Sequence, residues 1–269
     1  MATDSTQTTA ETVPASLPAT IAPRQASMRF ALVYAGLGLV LAGSVAAFAV
    51  FAVWPSLHPS AKWSSWRPHS AGPIVMAKSI ADHVGAEYRF VSGGQLVAVV
   101  ASAPAVTSGT QTVGIVAVAT RSRVGGKQSV RPLTPGATLM YTLCGLGSRC
   151  AIASGTPSEA RGQLVRREGL EVALYTFKYI PSVDSVLVYM PPAQGAATAP
   201  ILYFTKDSLS GRLNIPLKDT LPLKTPPRAG QLNPTETPVL DALTLPHLYL
   251  SGLIQLQVGG ALLALAHVA

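Results

Sequence analysis

The chain of 269 residues carries a net charge of +8, yet only 12% of its residues are charged while 48% are hydrophobic. That balance excludes a chain disordered from end to end and leaves a basic protein with enough Ala- and Val-rich sequence for a buried core. Part of the apolar excess is concentrated in one N-proximal segment.

Residues 1–23 are mostly Thr, Ala, Ser, Gln and Pro and cannot bury enough surface to offset the entropy of ordering. They predict a disordered tail, 1–29, on the cytoplasmic side. From Phe30 to Trp54 no side chain is charged. As a helix these residues would extend roughly 37 Å, more than a bilayer's hydrocarbon core of about 30 Å requires. A transmembrane helix is therefore expected over 30–54. Arg29 abuts the run and Arg24 lies close to it, whereas Lys62 and Arg67 stand farther away on the other side, which keeps the N-terminus inside. A cleaved signal peptide competes for the same segment, but its apolar core is normally shorter. The spacing of Gly38, Ala42 and Ala46 gives a small-residue stripe along which a second copy could dimerise, although an Ala/Gly-rich span produces such stripes without a partner.

Residues 55–72, with Trp63 and Trp66 among prolines, read as a juxtamembrane linker. These rings either lie at the head groups or pack onto the domain that follows. That domain, 73–269, is expected to be one extracytoplasmic α+β unit with a mixed or antiparallel sheet and about two helices. Apolar residues at 74, 77, 80, 81, 84 and 88 predict a first helix. Val-rich runs at Gln95–Ala101 and Thr112–Thr120 predict buried strands. Ala137–Leu143 enters Cys144-Gly-Leu-Gly-Ser-Arg-Cys150 and reads as a hairpin stapled at its tip by a disulfide, which suits export.

Thr156-Pro157-Ser158-Glu159 has the form of a capping box, with a helix then running to Tyr179 before Pro181. Leu164, Leu170, Ala173, Leu174 and Phe177 form its expected buried side, while Arg161, Arg166, Arg167 and Glu168 are expected in water. Ser185–Met190 and Pro200–Thr205 read as neighbouring strands, and Asp207–Leu213 as a short helical turn. Pro216–Pro238 reads as an irregular wrap. Leu248–Ala266 is uncharged and long enough for a second span, but its glutamines and Gly259-Gly260 favour a closing β-hairpin.

Chemistry-bearing motifs are sparse. The five histidines lack metal-ligand spacing, and no phosphate loop, dinucleotide fingerprint or nucleophile elbow is present. No catalytic, metal or cofactor residue is assigned, and no cofactor is expected. From Arg89 to Arg149 there are basic residues and no acidic one. Arg121, Arg123, Lys127 and Arg131 are the candidate anion-binding patch, against the simpler reading of scattered solvated side chains. Glu168 and Glu171 share a helix face, where ordinary surface ion pairing with the nearby arginines is the expected role.

The expectation is a single-pass protein of a plasma (inner) membrane. Its outer domain would act as a non-catalytic binding or scaffold module for another membrane protein or an anionic envelope polymer, and nucleic acid is not an expected partner. The alternative is an anchored envelope hydrolase or transferase whose site leaves no linear motif. Convergence of three or more of Asp82, His83, Ser158, Glu168 and Glu171 in one cleft would favour it.

Overall fold

Uninterrupted apolar sequence gives one long helix, α1 (Arg24–Leu57), of 34 residues. The computed structural model describes residues 24–57, with side chains for 30–49, and 62–268 apart from 109, 122–125, 194–195, 197, 223–233 and 258. The expected tail over 1–23 lies outside them. From Phe30 to Ala49 the mean hydropathy of α1 is 2.0 and its side chains are exposed on every side. Among the described residues it is the one helix long and apolar enough to cross a membrane, a criterion that a signal sequence near an N-terminus also meets. The chain divides into two units between Ser60 and Ala61.

In the second unit, α2 (Pro73–Glu87) starts with proline in its first turn, where a missing N–H costs no helical bond, and buries Ala77, Ile80, Ala81 and Val84. The strands are β1 (Ala98–Ser102), β2 (Ala105–Ser108), β3 (Gln111–Arg121), β4 (Gln128–Pro132), β5 (Thr138–Cys144), β6 (Ser185–Tyr189), β7 (Pro200–Thr205), β8 (Leu248–Gln255) and β9 (Ala261–His267). They form a mixed sheet in the order β1-β5-β6-β7-β8-β9-β3-β2, with β4 also on β3. Only the β5–β6 and β3–β9 pairs are parallel. A parallel pair needs a crossover, and between β5 and β6 that crossover contains α3 (Glu159–Tyr179).

Alternation along the strands splits the core in two. Leu139, Tyr141, Leu143, Val186, Val188, Leu202 and Phe204 join the helices in the larger cluster. Met140, Leu187, Ile201 and Tyr203, from the other face, pack with Ile115, Val118, Leu263 and Leu265. Because β7, β8 and β9 separate β6 from β3 in the sheet, that second cluster requires the sheet to curl into a nearly closed barrel. Its two ends are β1, paired on β5, and the strands β2 and β4, both paired on β3.

Several expectations need correction. Beside the two long helices α2 and α3, the described residues of the domain form three short ones, α4 (Lys206–Leu213), where a helical turn was expected, and α5 (Leu217–Thr220) and α6 (Thr237–Thr244), which were not. Thr205, the last residue of β7, caps α4 by accepting from the Ser208 amide, and Pro238 sits in the first turn of α6. Proline thus starts a helix in a stretch whose prolines had suggested irregular chain. The edge strands β2 and β4 were not anticipated from the sequence.

The stapled hairpin is also revised. The Cys144–Cys150 disulfide is formed, but Ala151–Ala153 forms no strand, and β5 pairs instead with β1 and β6. The loop closes through Gly145 N–H to Cys150 O at 2.8 Å and Gly147 N–H to Ala151 O at 2.8 Å. A Cβ on Gly145 would lie 2.5 Å from Ala151 O, so this closure requires glycine. In the chain-entropy picture the crosslink contributes roughly 2 to 3 kcal/mol.

The C-terminal segment is the antiparallel hairpin β8–β9, in register from Tyr249 opposite His267 to Gln255 opposite Ala261. Gly259 and Gly260 turn it with φ of +92° and +82°, a region that L side chains avoid. Before α2, residues assigned to the linker are packed onto the domain. Trp63 and Trp66 rest against the larger core, and the Leu217 amide donates to Trp63 O at 2.7 Å.

Candidate functional site

The site is organised by α3. Ser158 caps it by accepting from the Arg161 amide at 3.2 Å, two residues later than the Thr156 cap expected. The helix packs against α2, α4, α6, β6 and β7, so it is covered on several sides and buries polar as well as apolar residues. A Cβ on Gly169 would come within 2.9 Å of Leu202 Cδ1, which shows how closely α3 is seated on the sheet.

Arg167 and Glu168, expected in water, are 1% and 0% exposed, and Glu171, expected to pair at the surface, is 9% exposed. Their partners come from distant sequence. The Arg167 guanidinium pairs with Glu236, donates to the Tyr88 hydroxyl at 2.7 Å and approaches Glu171 Oε2 at 3.3 Å. The Tyr88 hydroxyl donates to the same Glu171 oxygen at 2.6 Å. Burial opposes the charge on Arg167, but Tyr88, Glu171 and Glu236 more than offset it and hold the group protonated. Burial likewise raises Glu171, against the pull of Arg167 and Tyr88.

Glu168 differs, because neither of its carboxyl oxygens has a hydrogen-bond partner among the described residues. Burial, reinforced by Glu171, lifts it well above the usual carboxylate range, which favours its neutral form. Arg166 instead reaches α6, where it pairs with Asp241 and donates to Thr244 Oγ1 at 3.2 Å.

In front of this network lies a cleft of about 320 Å³ lined by Lys62, Trp63, His83, Glu87, Glu171 and Tyr175, with Lys218 at its other wall. Its aromatic side is tightly built. Trp66 stacks on His83 with ring centres 3.9 Å apart, Trp63 meets Tyr175 edge-on at 5.3 Å, and Ser64 Oγ and the Tyr175 hydroxyl share a 2.6 Å hydrogen bond. Burial lowers His83, with Glu171 opposing the shift. It raises Glu87 against Arg167 and pushes Tyr175 up to about 12 against its bond to Ser64.

Of the five residues whose convergence would favour an enzyme, only His83 and Glu171 line this cleft. Glu168 is sealed behind it, Asp82 is exposed on α2, and Ser158 lines a separate depression with Pro157 and Arg161. The arrangement offers aromatic faces and both signs of charge, with the Ser64 hydroxyl already engaged. Among the described residues no three His, Cys, Asp or Glu side chains gather to hold a metal ion.

Of the candidate anion patch, Arg121, Lys127 and Arg131 lie on the β3–β4 hairpin and are exposed, while Arg123 is outside the described residues. Arg121 pairs with Gln128 and Arg131 with Val118, so alternation directs Arg121 and Arg131 to opposite faces. Gly38, Ala42 and Ala46 lie in α1. Sequence reasoning singled out Trp63 as a ring that could pack on the domain and Tyr88 as part of the first helix's apolar stripe, but it placed neither in a site and missed Tyr175 and Glu236. Gly169 beside a charged pair in a helix interior was the one available sign of close packing there. Comparison with protein-family models, characterised proteins and solved structures returned no match.

Proposed function

We propose that the chain is a single-pass membrane protein whose basic outer domain is a binding module for another membrane protein or envelope component, engaged at the cleft between α2, α3 and α5. The observation that carries the reading is the composition of that cleft. Trp63 and Tyr175 offer rigid aromatic surface of the kind that anchors interfaces, while Lys62 and Lys218 supply positive charge beside it. The inner carboxylate, Glu171, is committed to Tyr88 and Arg167, which favours a role in holding the cleft's shape over one in moving protons.

A photoreactive amino acid in place of Lys218, which is exposed, tests this in native membranes. A discrete adduct with a second protein or envelope polymer is expected, and it should disappear when Trp63→Ala is added. Recovery of the chain alone after irradiation overturns the proposal.

A further inference from the structure

The charges lining the cleft between α2, α3 and α5 are sorted by sign, and that limits what it can hold. α2 presents His83 and Glu87 to it, and α3 presents Glu171 and Tyr175, each pair one turn apart and so on one helix face. Glu171 is only 9% exposed, and its Oε2 accepts from the Tyr88 hydroxyl and from Arg167. Among the described residues no hydrogen bond engages its Oε1, which is not sealed in as the Glu168 oxygens are. That oxygen is a nearly buried acceptor left open on the cleft wall.

The inner carboxylates are short of positive charge. Among the described residues Arg167 alone pairs with both Glu171 and Glu236, while Glu87 takes part in no ion pair. Burial lowers His83, which favours its neutral form. Lys62 and Lys218 also line the cleft, yet neither is among the charges that act on Glu87 or Glu171, so the two signs stand apart across it. Lys178 Nζ lies 5.7 Å from the Trp63 ring centre and donates to Leu213 O, outside the lining. Beside the carboxylates are the Trp63 and Tyr175 rings, and aromatic faces attract cations. At about 320 Å³ the space has the size of a small-molecule site.

We propose that the cleft binds a small zwitterion, its ammonium on Glu171 Oε1 and Glu87 against the Trp63 and Tyr175 rings, its anionic end toward Lys62 and Lys218. This ligand chemistry rests on the reading of the cleft as a binding site. A free amino acid and the amine-bearing peptide of an envelope polymer both supply it.

The full-length protein in maltoside micelles, titrated with ε-aminocaproate and followed by saturation-transfer NMR of the ligand, provides the test. The zwitterion should bind, whereas its N-acetyl derivative, which lacks the positive charge, should bind at least about tenfold more weakly, the loss expected for one hydrogen bond between charged groups. Glu87→Gln, at a half-buried position outside the ion pairs, should weaken ε-aminocaproate by a similar factor. Lys218→Gln should weaken ε-aminocaproate and leave butylamine, which has no anionic end, unchanged. The tripeptide acetyl-Ala-Lys-Ala separates the sources, because binding tighter than that of ε-aminocaproate assigns a peptide-borne amine and weaker binding a free amino acid.

Equal binding of ε-aminocaproate and its acetylated form by the unsubstituted protein, or binding of neither, overturns the proposal without relying on any variant. Binding indifferent to Glu87→Gln overturns the seat given to the ammonium, and binding indifferent to Lys218→Gln overturns the place given to the anionic end. Docking of a partner at the cleft fails separately. A photoadduct at position 218 without amine binding refutes the zwitterion and leaves the docking reading standing, while amine binding without any adduct does the reverse.

Discussion

Arg167→Met should cost about 3 to 5 kcal/mol of stability, the range found when one member of a buried ion cluster is removed and its partners are left charged. Methionine keeps much of the stem, so the loss isolates the guanidinium. Without it, Glu236, Glu171 and the Tyr88 hydroxyl remain buried together, and their desolvation is no longer compensated. For a domain of this size the melting temperature should drop by roughly 10 °C or more.

Neutralising the acids tests the cause. Arg167→Met combined with Glu171→Gln and Glu236→Gln should be more stable than Arg167→Met alone, because the uncompensated charges are gone. A single variant within about 0.5 kcal/mol of the parent, the usual range for surface positions, would show that Arg167 is not the hub of the core.

Glu168 gives the second large effect, as a dependence on pH. In the unfolded chain it titrates near the ordinary glutamate value of about 4.3, whereas in the fold burial holds it protonated to higher pH. Between those two values the unfolded state binds fewer protons, so stability falls as pH rises, at a limiting slope of about 1.4 kcal/mol per pH unit. Below the unfolded value both states are protonated, so the dependence on pH vanishes and the stability is at its full value for this group.

Glu171 and Glu87 are also raised and act in the same direction, while His83, lowered by burial, acts oppositely at higher pH. Comparison with Glu168→Gln removes these shared terms. The stability difference between parent and variant should be flat below about pH 4 and widen in favour of glutamine above it. Parallel pH curves would sink the assignment of Glu168 as a buried neutral acid.

These two residues also mark the limit of what the sequence discloses. Apolar patterning placed α2, which buries one face, and strands such as β5, β6 and β7, which are buried on both faces and so read as near-continuous apolar runs, and Gly259-Gly260 resolved the final segment into a hairpin rather than a second span. The same logic failed on α3. A helix covered by the sheet and by α2, α4 and α6 has little wet face, and Arg167 finds its partners at Tyr88 and Glu236, far outside the neighbouring helical positions that a surface pairing rule considers. Edge strand β4 escaped because Gln128–Pro132 is exposed throughout and has no apolar pattern to read. The cleft was hidden for a related reason. Its aromatic wall joins Trp63 and Trp66, from before α2, to Tyr175 on α3 and His83 on α2, a convergence that only the tertiary fold creates.

The proposed arrangement, a lipid-embedded N-proximal helix carrying an external domain, is tested most directly by cysteine labelling in intact cells. Both native cysteines are consumed in the disulfide, so single cysteines introduced at Ala10 and at Val100, which is 55% exposed on β1, report without background. A membrane-impermeant maleimide should label position 100 in intact cells and position 10 only after lysis, with each cysteine carried on a full-length, carbonate-resistant chain. Labelling at position 100 only after lysis, or a mature chain that has lost position 10 and washes free of the membrane, would contradict it.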